Sequence, residues 1–441
     1  MMTTAAGAQP TLLFYGDDFT GATDALATAA EGGLRSLLFL DVPDDARLAQ
    51  AGPLDAVGIA GAARSMPPAE MAAALAPVAV LARRLRPRVL HYKTCSTFDS
   101  APQVGSIGAA VAALRPAADV PWTAVVGGQP QLGRYCLFGH LFAAAGTGGE
   151  VFRIDRHPTM SRHPVTPMGE SDLRAHLAQQ DFAPLGLVPW TAFGGDAAAL
   201  SAALQAALAS RPAGVLFDVA TPAHLRALGP LLRAVAQAGT LLAVGPSSVV
   251  DALGSGAAPA PSPIAPARAP VLGVAGSLSP LTARQVAAAH SFARHAVPPA
   301  HLLDEAARAA AVDAAVADLQ AGRHVLIVSA DGSGGSGDGR RIAQATGQLL
   351  AQVLARVPLP RVGVAGGDTS SHAVQALDAW GLSHRGRLAP GVAMCRLHSE
   401  QPALDGMELM LKGGQMGGET LFEDLVYGTA ANEAARGPQP F

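Results

Sequence analysis

The sequence predicts an α/β protein of two domains, each a mostly parallel sheet flanked by helices. Apolar, strand-like runs alternate with Ala/Leu-rich helical stretches along all 441 residues, the pattern of strand–helix–strand units. That length exceeds what one hydrophobic core usually supports. A single Pro/Ala-rich stretch, Gly254–Pro270, breaks the alternation and has the composition of a linker. These features divide the chain into residues 1–253, a linker at 254–270, and residues 271–441. With 49% hydrophobic and 15% charged residues, both parts can bury substantial cores.

Taken in order, the runs Thr11–Tyr15, Leu37–Leu40, Ala56–Ile59, Val89–Tyr92, Thr123–Val126, Val215–Asp218 and Leu241–Val244 are expected strands of the first domain. Val271–Ala275, His324–Ser329 and Val362–Ala365 are expected in the second. Helical stretches at Ala69–Leu81, Asp196–Ala209 and Ile342–Val357 lie between them. Gly332–Gly339 is a low-complexity stretch read as a mobile surface loop. It lacks the Lys-Ser/Thr ending of a phosphate loop.

The bulk numbers exclude several function classes. A net charge of -3 gives no electrostatic reason to expect nucleic acid or an anionic membrane as partner. Cys95, Cys136 and Cys395 lie far apart with no CxxC, which argues for a reducing compartment and against a disulfide framework. No apolar run reaches about twenty residues and no basic n-region opens the chain, so the expected location is the cytoplasm.

Three polar clusters follow strands of the first domain. Asp17 and Asp18 are adjacent carboxylates at the end of the first strand, in a turn bracketed by Gly16 and Gly21, with Thr20 a candidate cap for a helix starting near Ala22. Open α/β sheets place ligands at the carboxyl ends of strands, and crowded carboxylates are costly unless used. Arg64 follows the third strand and can grip a carboxylate bidentately. Lys93, Cys95, Ser96, Thr97 and Asp99 form the third cluster, with hydroxyls able to orient sugar hydroxyls. Cations and carboxylates together suit a polyhydroxylated acid. The segment Arg156–Met168 is dense in His, Arg and Pro; a loop lining the substrate site or a dimer contact is the expected role, and no metal set is assigned from its spacing.

The second domain carries three Gly-rich turns: Gly276-Ser277-Leu278-Ser279, Gly366-Gly367-Asp368-Thr369, and Lys412-Gly413-Gly414. Glycines let backbone approach a ligand, and helix N-termini offer N–H groups to phosphates. Neither a complete GxGxxG nor a Walker A is present, so the turns point to a nucleotide site of another type.

On these residues the chain resembles the four-carbon acid sugar kinases. Asp17–Asp24 match the family's Asp-Asp-Phe-Thr-Gly-Ala-Thr-Asp, and Lys93–Ser100 match the Lys-x-Cys-Ser-Thr-Phe-Asp-Ser of its 3-oxo-tetronate kinase branch. Gly276–Ser279, Gly366–Ser370 and Leu411–Gly417 align with the C-terminal motifs, with Asp368 in place of Glu and Gln415-Met416 in place of Asn-Phe. Those departures suit a sister branch acting on a related acid such as 3-oxo-isoapionate.

The resemblance implies ATP-dependent phosphorylation of a terminal hydroxyl of a sugar acid, with Mg2+ accompanying ATP and an active-site cleft between the domains. A 3-oxo-tetronate is the expected substrate, with 3-oxo-isoapionate, D-threonate and D-erythronate as alternatives. Asp17 or Asp18 would act on the acceptor hydroxyl; Asp18, Arg64, Lys93, Cys95, Ser96 and Asp99 would bind the acid. Ser277, Ser279, Gly366, Gly367, Asp368, Thr369 and Gly414 would hold the nucleotide. A homodimer stays open. Of the competing classes, a nicotinamide-dependent dehydrogenase should show GxGxxG followed by a distant acidic residue, which the Gly-rich turns do not supply. A non-catalytic ligand-binding protein would have no need of the acidic and Gly-rich clusters in both domains.

Overall fold

The computed structural model describes residues 9–146, 148–254, 263–276, 279–329, 339–413 and 416–429. It divides into two compact units, Met1–Pro259 and Ala260–Phe441. Eleven strands fall in the first: β1 Leu12–Gly16, β2 Ser36–Phe39, β3 Ala56–Ala60, β4 Val89–Lys93, β5 Thr123–Gly127, β6 Arg134–Leu137, β7 His140–Ala144, β8 Val151–Arg153, β9 Leu185–Val188, β10 Gly214–Asp218 and β11 Leu241–Gly245. Eight form one wholly parallel sheet in the order β2-β3-β1-β4-β11-β5-β10-β9. Its central strands are buried on both faces, as helices covering a parallel sheet require; Leu12, Leu13, Phe14, Leu90, Val125 and Leu242 have no exposed surface. The chain runs from β1 outward to β2 and β3, then returns to β4 on the opposite side of β1. The β1/β4 boundary is therefore a topological switch point, where such sheets open a crevice for ligands.

Strands β6, β7 and β8 form a separate antiparallel sheet. It hangs beyond the carboxyl end of β5, tied there by the Gln129–Arg134 bridge.

The second unit holds β12 Leu272–Ala275, β13 Phe292–Ala296, β14 His324–Val328, β15 Arg361–Ala365, β16 Gly381–Ala389, β17 Val392–His398 and β18 Glu408–Lys412. Their order is β13-β14-β12-β15-β18-β17-β16, parallel as far as β18 and antiparallel through the β16/β17 hairpin. Val271, Leu326, Met394, Met410, Phe422 and Leu425 sit in its core. Ile264, within the Pro/Ala-rich stretch, is buried in that core, and Ala267 N–H donates to the Val426 carbonyl at 2.7 Å.

The expected strands all form, with ends shifted by a residue or so. Sequence reasoning did not anticipate β6–β9, β13 or β16–β18. The first helix is Phe19–Glu31, and its N-cap is Asp18 rather than Thr20: Asp18 Oδ1 accepts from Gly21 N–H at 2.7 Å. Thr20 instead donates its hydroxyl to Asp18 Oδ2 at 3.1 Å. A carboxylate at the cap answers the free N–H groups and the positive end of the helix better than a hydroxyl two residues further on. The surface-loop stretch lies outside the described residues except for Gly339, which opens helix Gly339–Arg356. No helix among the described residues is long and apolar enough to cross a membrane.

Candidate active site

Strand β1 delivers Asp17 and Asp18 to the switch point, β3 leads into Arg64, and β4 ends on Lys93. The backbone locks these ends together: Asp17 N–H donates to the Lys93 carbonyl at 2.9 Å, and Arg64 N–H donates to the Asp17 carbonyl at 3.0 Å. The Arg64 guanidinium straddles both carboxylates. Its Nε and one terminal nitrogen grip Asp17 at 3.2 and 2.8 Å, and the other terminal nitrogen reaches Asp18 at 2.7 Å. Arg64 thus has its bidentate fork filled by the protein's own Asp17. Lys93 is buried and donates to the Thr94 carbonyl at 2.8 Å. Gly21 is required here: a Cβ on it would fall 2.4 Å from Asp18 Oδ1 and 2.6 Å from Lys93 Nζ.

The two aspartates are electrostatically unlike. Burial raises Asp17 above the ordinary carboxylate value, with Arg64 opposing and the Asp18 charge adding to the rise. Asp18 is also penalised by burial, but Arg64, Lys93 and the Gly21 N–H together hold it below that value. Its side chain is 20% exposed against 7% for Asp17, so Asp18 is the more accessible carboxylate and the one more firmly held in its ionised form.

The loop after β4 packs its polar groups inward. Thr97 donates its hydroxyl to Asp99 Oδ1 at 2.5 Å, which makes the Cys95 thiol the donor to Thr97 Oγ1 at 3.0 Å. Burial, and next the Asp99 charge, push the Cys95 thiol up. Ser96 is buried, and its hydroxyl has no hydrogen-bond partner among the described residues. Asp24, further along the helix that follows the acidic pair, accepts from Gln129 Nε2 at 3.1 Å and from Ser247 Oγ at 2.6 Å, drawing in the ends of β5 and β11.

In the second unit the three Gly-rich turns start from one row. Ala275 pairs with Ala365, and Ala365 with Lys412, each the last residue of β12, β15 and β18. Gly276 N–H donates to the Ala365 carbonyl, and Gly366 N–H to the Lys412 carbonyl, both at 2.9 Å. Gly366 adopts φ 129°, a conformation L side chains rarely reach. A Cβ on Gly276 would meet Thr369 Oγ1 at 2.2 Å. Ser279 caps helix Pro280–Ala288, its Oγ accepting from Thr282 N–H at 3.1 Å, and Gly367 opens helix Gly367–Ala376. Both helix N-termini therefore stand at this edge. Ser277, Gly414 and the Asp368 side chain lie outside the described residues.

Lys412 was missed among the sequence-derived site residues. It is fully buried, and its ammonium donates to Thr282 Oγ1 at 3.0 Å and to the Met416 carbonyl at 3.4 Å. Burial brings its pKa down to about 8. A sequence signal existed, since Lys412 opens the third Gly-rich turn. This donor set, with glycines where no Cβ fits, suits a polyphosphate.

Comparison with known proteins agrees with this division. Residues 12–253 match a sugar-binding N-terminal domain and residues 272–422 a nucleotide-binding C-terminal domain. The chain is 38% identical to a 3-oxo-isoapionate kinase of Paraburkholderia graminis, covering 93% of each. It is 31% identical to a 3-oxo-tetronate kinase of Cupriavidus necator, covering 95% of this chain and 97% of the relative. Among solved structures, a Salmonella typhimurium LT2 protein, provisionally named a tRNA synthase, superposes with TM-score 0.77 at 26% identity, covering 93% of this chain and 98% of the other. A sugar-binding unit joined to a nucleotide-binding unit, in a chain matched almost end to end by sugar-acid kinases, defines a phosphotransferase. The chain belongs to the four-carbon acid sugar kinase family.

Proposed function

We propose that the chain uses ATP to phosphorylate a terminal hydroxyl of 3-oxo-isoapionate. The observation that carries this choice is the 38% identity to a 3-oxo-isoapionate kinase over 93% of both chains, against 28% to 31% for the 3-oxo-tetronate kinases. The Asp368 and Gln415-Met416 departures point the same way. A 3-oxo-tetronate is the second reading, favoured by the complete Lys-x-Cys-Ser-Thr-Phe-Asp-Ser match at Lys93–Ser100.

In this reading Asp18 orients the acceptor hydroxyl and takes its proton late, as the low basicity of an ionised, cation-flanked carboxylate suits. Phosphoryl transfer needs positioning and charge neutralisation more than a strong base. Asp17 holds Arg64, and Arg64 holds Asp18 in place. Lys93, Cys95, the Ser96 hydroxyl and Asp99 meet the acid's hydroxyls. Ser277, Ser279, Gly366, Gly367, Asp368, Thr369, Gly414 and Lys412 bind the nucleotide. Mg2+ would accompany the nucleotide and offset its phosphate charge. Among the described residues no group of three or more His, Cys, Asp or Glu gathers to hold a metal.

An ADP-release screen over 3-oxo-isoapionate, 3-oxo-tetronates, D-threonate and D-erythronate tests the proposal. A highest kcat/KM for 3-oxo-isoapionate supports it; a preference for a 3-oxo-tetronate installs the second reading.

A further inference from the structure

The proposed function leaves one requirement without a residue. A sugar acid brings a carboxylate into a region that already holds four, Asp17, Asp18, Asp24 and Asp99. Its two cations are engaged: Arg64 by Asp17 and Asp18, Lys93 by the Thr94 carbonyl and the neighbouring Asp18 charge. A further negative charge here meets net repulsion unless another cation faces it.

Arg134 supplies that cation. It opens β6, directly after the β5 turn, and its backbone pairs with Gln129: Gln129 N–H donates to the Arg134 carbonyl at 2.8 Å, and Arg134 N–H returns to Gln129 at 3.2 Å. Gln129 in turn donates to Asp24, which places this strand start beside the helix that follows the acidic pair. The Arg134 guanidinium lies within electrostatic reach of Cys95 on the loop after β4, so it approaches the same group of strand ends. Among the described residues it has no carboxylate partner. One terminal nitrogen donates to the Leu132 carbonyl, and its Nε is buried with no hydrogen bond at all. A partly buried arginine with a buried, unbonded Nε and no counter-charge is costly to keep, and burial accordingly lowers its pKa. An incoming carboxylate would satisfy both the charge and the orphaned Nε, through the planar fork that suits a carboxylate.

We propose that Arg134 is the residue that recognises the carboxylate of the sugar acid, and that it sets the preference for acids over neutral sugars. The assignment rests on the sugar-acid kinase reading. Arg64 is the internal tie of the acidic pair.

The test compares wild type, Arg134→Gln and Arg134→Lys by ADP release and by calorimetric binding of 3-oxo-isoapionate, 3-oxo-tetronate, D-threonate and D-erythronate, each beside its neutral amide. Thermal melting shows that the variants fold. The expected result is a KM for the acid raised about tenfold to a hundredfold in Arg134→Gln, the range of a lost charge-assisted hydrogen bond. The KM for ATP should stay within twofold, and the acid-over-amide preference should collapse. Arg134→Lys should recover part of the loss, since it restores charge without the fork. An Arg134→Gln enzyme with unchanged acid KM and unchanged preference overturns the assignment. If wild type turns over no acid but binds one in a manner that Arg134→Gln abolishes, the kinase substrate fails and the carboxylate site stands. If wild type binds none of the acids, the assignment falls with the substrate.

Discussion

Substituting Asp17 and Asp18 separately should split stability from catalysis. Asp17→Asn leaves the Arg64 fork, now held at 3.2 and 2.8 Å, facing a neutral amide beneath a side chain only 7% exposed. Breaking a buried ion pair by removing one charge costs about 3–5 kcal/mol. Asp18 still holds Arg64 at 2.7 Å, so the cost should lie at the low end, roughly 3 kcal/mol. For a domain of this size each kcal/mol lowers Tm by about 2–4 °C, a fall of about 6–12 °C in the calorimetric transition of the first unit. Asp18→Asn should behave differently. Asn caps a helix as well as Asp and Arg64 keeps its fork on Asp17, so although the 2.7 Å Asp18–Arg64 contact loses its charge, Tm should fall by less than in Asp17→Asn. The kcat of Asp18→Asn should fall at least about a hundredfold, the low end of general-base effects. Calorimetry and ADP release on the two purified variants decide the matter. Wild-type melting of Asp17→Asn would refute the tie between Asp17 and Arg64, and near-normal turnover of Asp18→Asn would remove Asp18 from the chemistry.

Further expectations concern both units. His91 is fully buried on β4 and burial lowers its pKa to about 3; the unfolded chain therefore binds the extra proton first, and this residue's contribution to stability is lost as pH falls from about 6.5 towards 3. His91→Asn should flatten the acid limb of a Tm–pH profile between those values. Lys412, with its pKa near 8, has shed its proton in the folded state while the unfolded lysine keeps one up to about 10.5, so stability should rise with pH across that window, and Lys412→Met should remove the rise. The same variant should raise the KM for ATP at least about tenfold, as for a lost charged hydrogen bond, with the acid KM little changed. Gly276→Ala drives a methyl to 2.2 Å from Thr369 Oγ1; calorimetry should find nucleotide binding weakened, and a Gly276→Ala/Thr369→Gly pair should regain more stability than either change alone predicts.

The strands that carry the site were legible because a parallel strand buried on both faces is a continuous apolar run, as in Leu12-Leu13-Phe14 and Val362–Ala365. Of the strands that escaped, β6 and β13 are partly exposed, whereas β17 and β18 are largely buried. Arg134-Tyr-Cys-Leu in β6 and Phe-Ala-Arg-His-Ala in β13 interrupt short apolar runs with polar or charged residues, and the β16/β17 hairpin shifts register between His384 and Gly386. No local pattern separates these from loops. The Gly-rich turns were visible singly. That they leave one row, through Ala275, Ala365 and Lys412, depends on pairing between residues about ninety and fifty positions apart, for which one sequence carries no signal.

The charges of the acidic site show where such reading stops. A sequence lists which ionisable groups a site contains, and the spacing of Asp17-Asp18, Arg64 and Lys93 along successive strand ends was enough to bring them together. It does not say which charges cancel. Arg64 looks like the ideal carboxylate clamp until its fork is found on Asp17, 47 positions earlier. Arg134 looks like an unremarkable residue of a mixed strand until its neighbours prove to include no counter-charge among the described residues. Because an ion pair closed within the protein offers little to an incoming anion, and an unpaired, partly buried arginine offers much, anion recognition in this site follows from the cancellation pattern and falls to the second arginine.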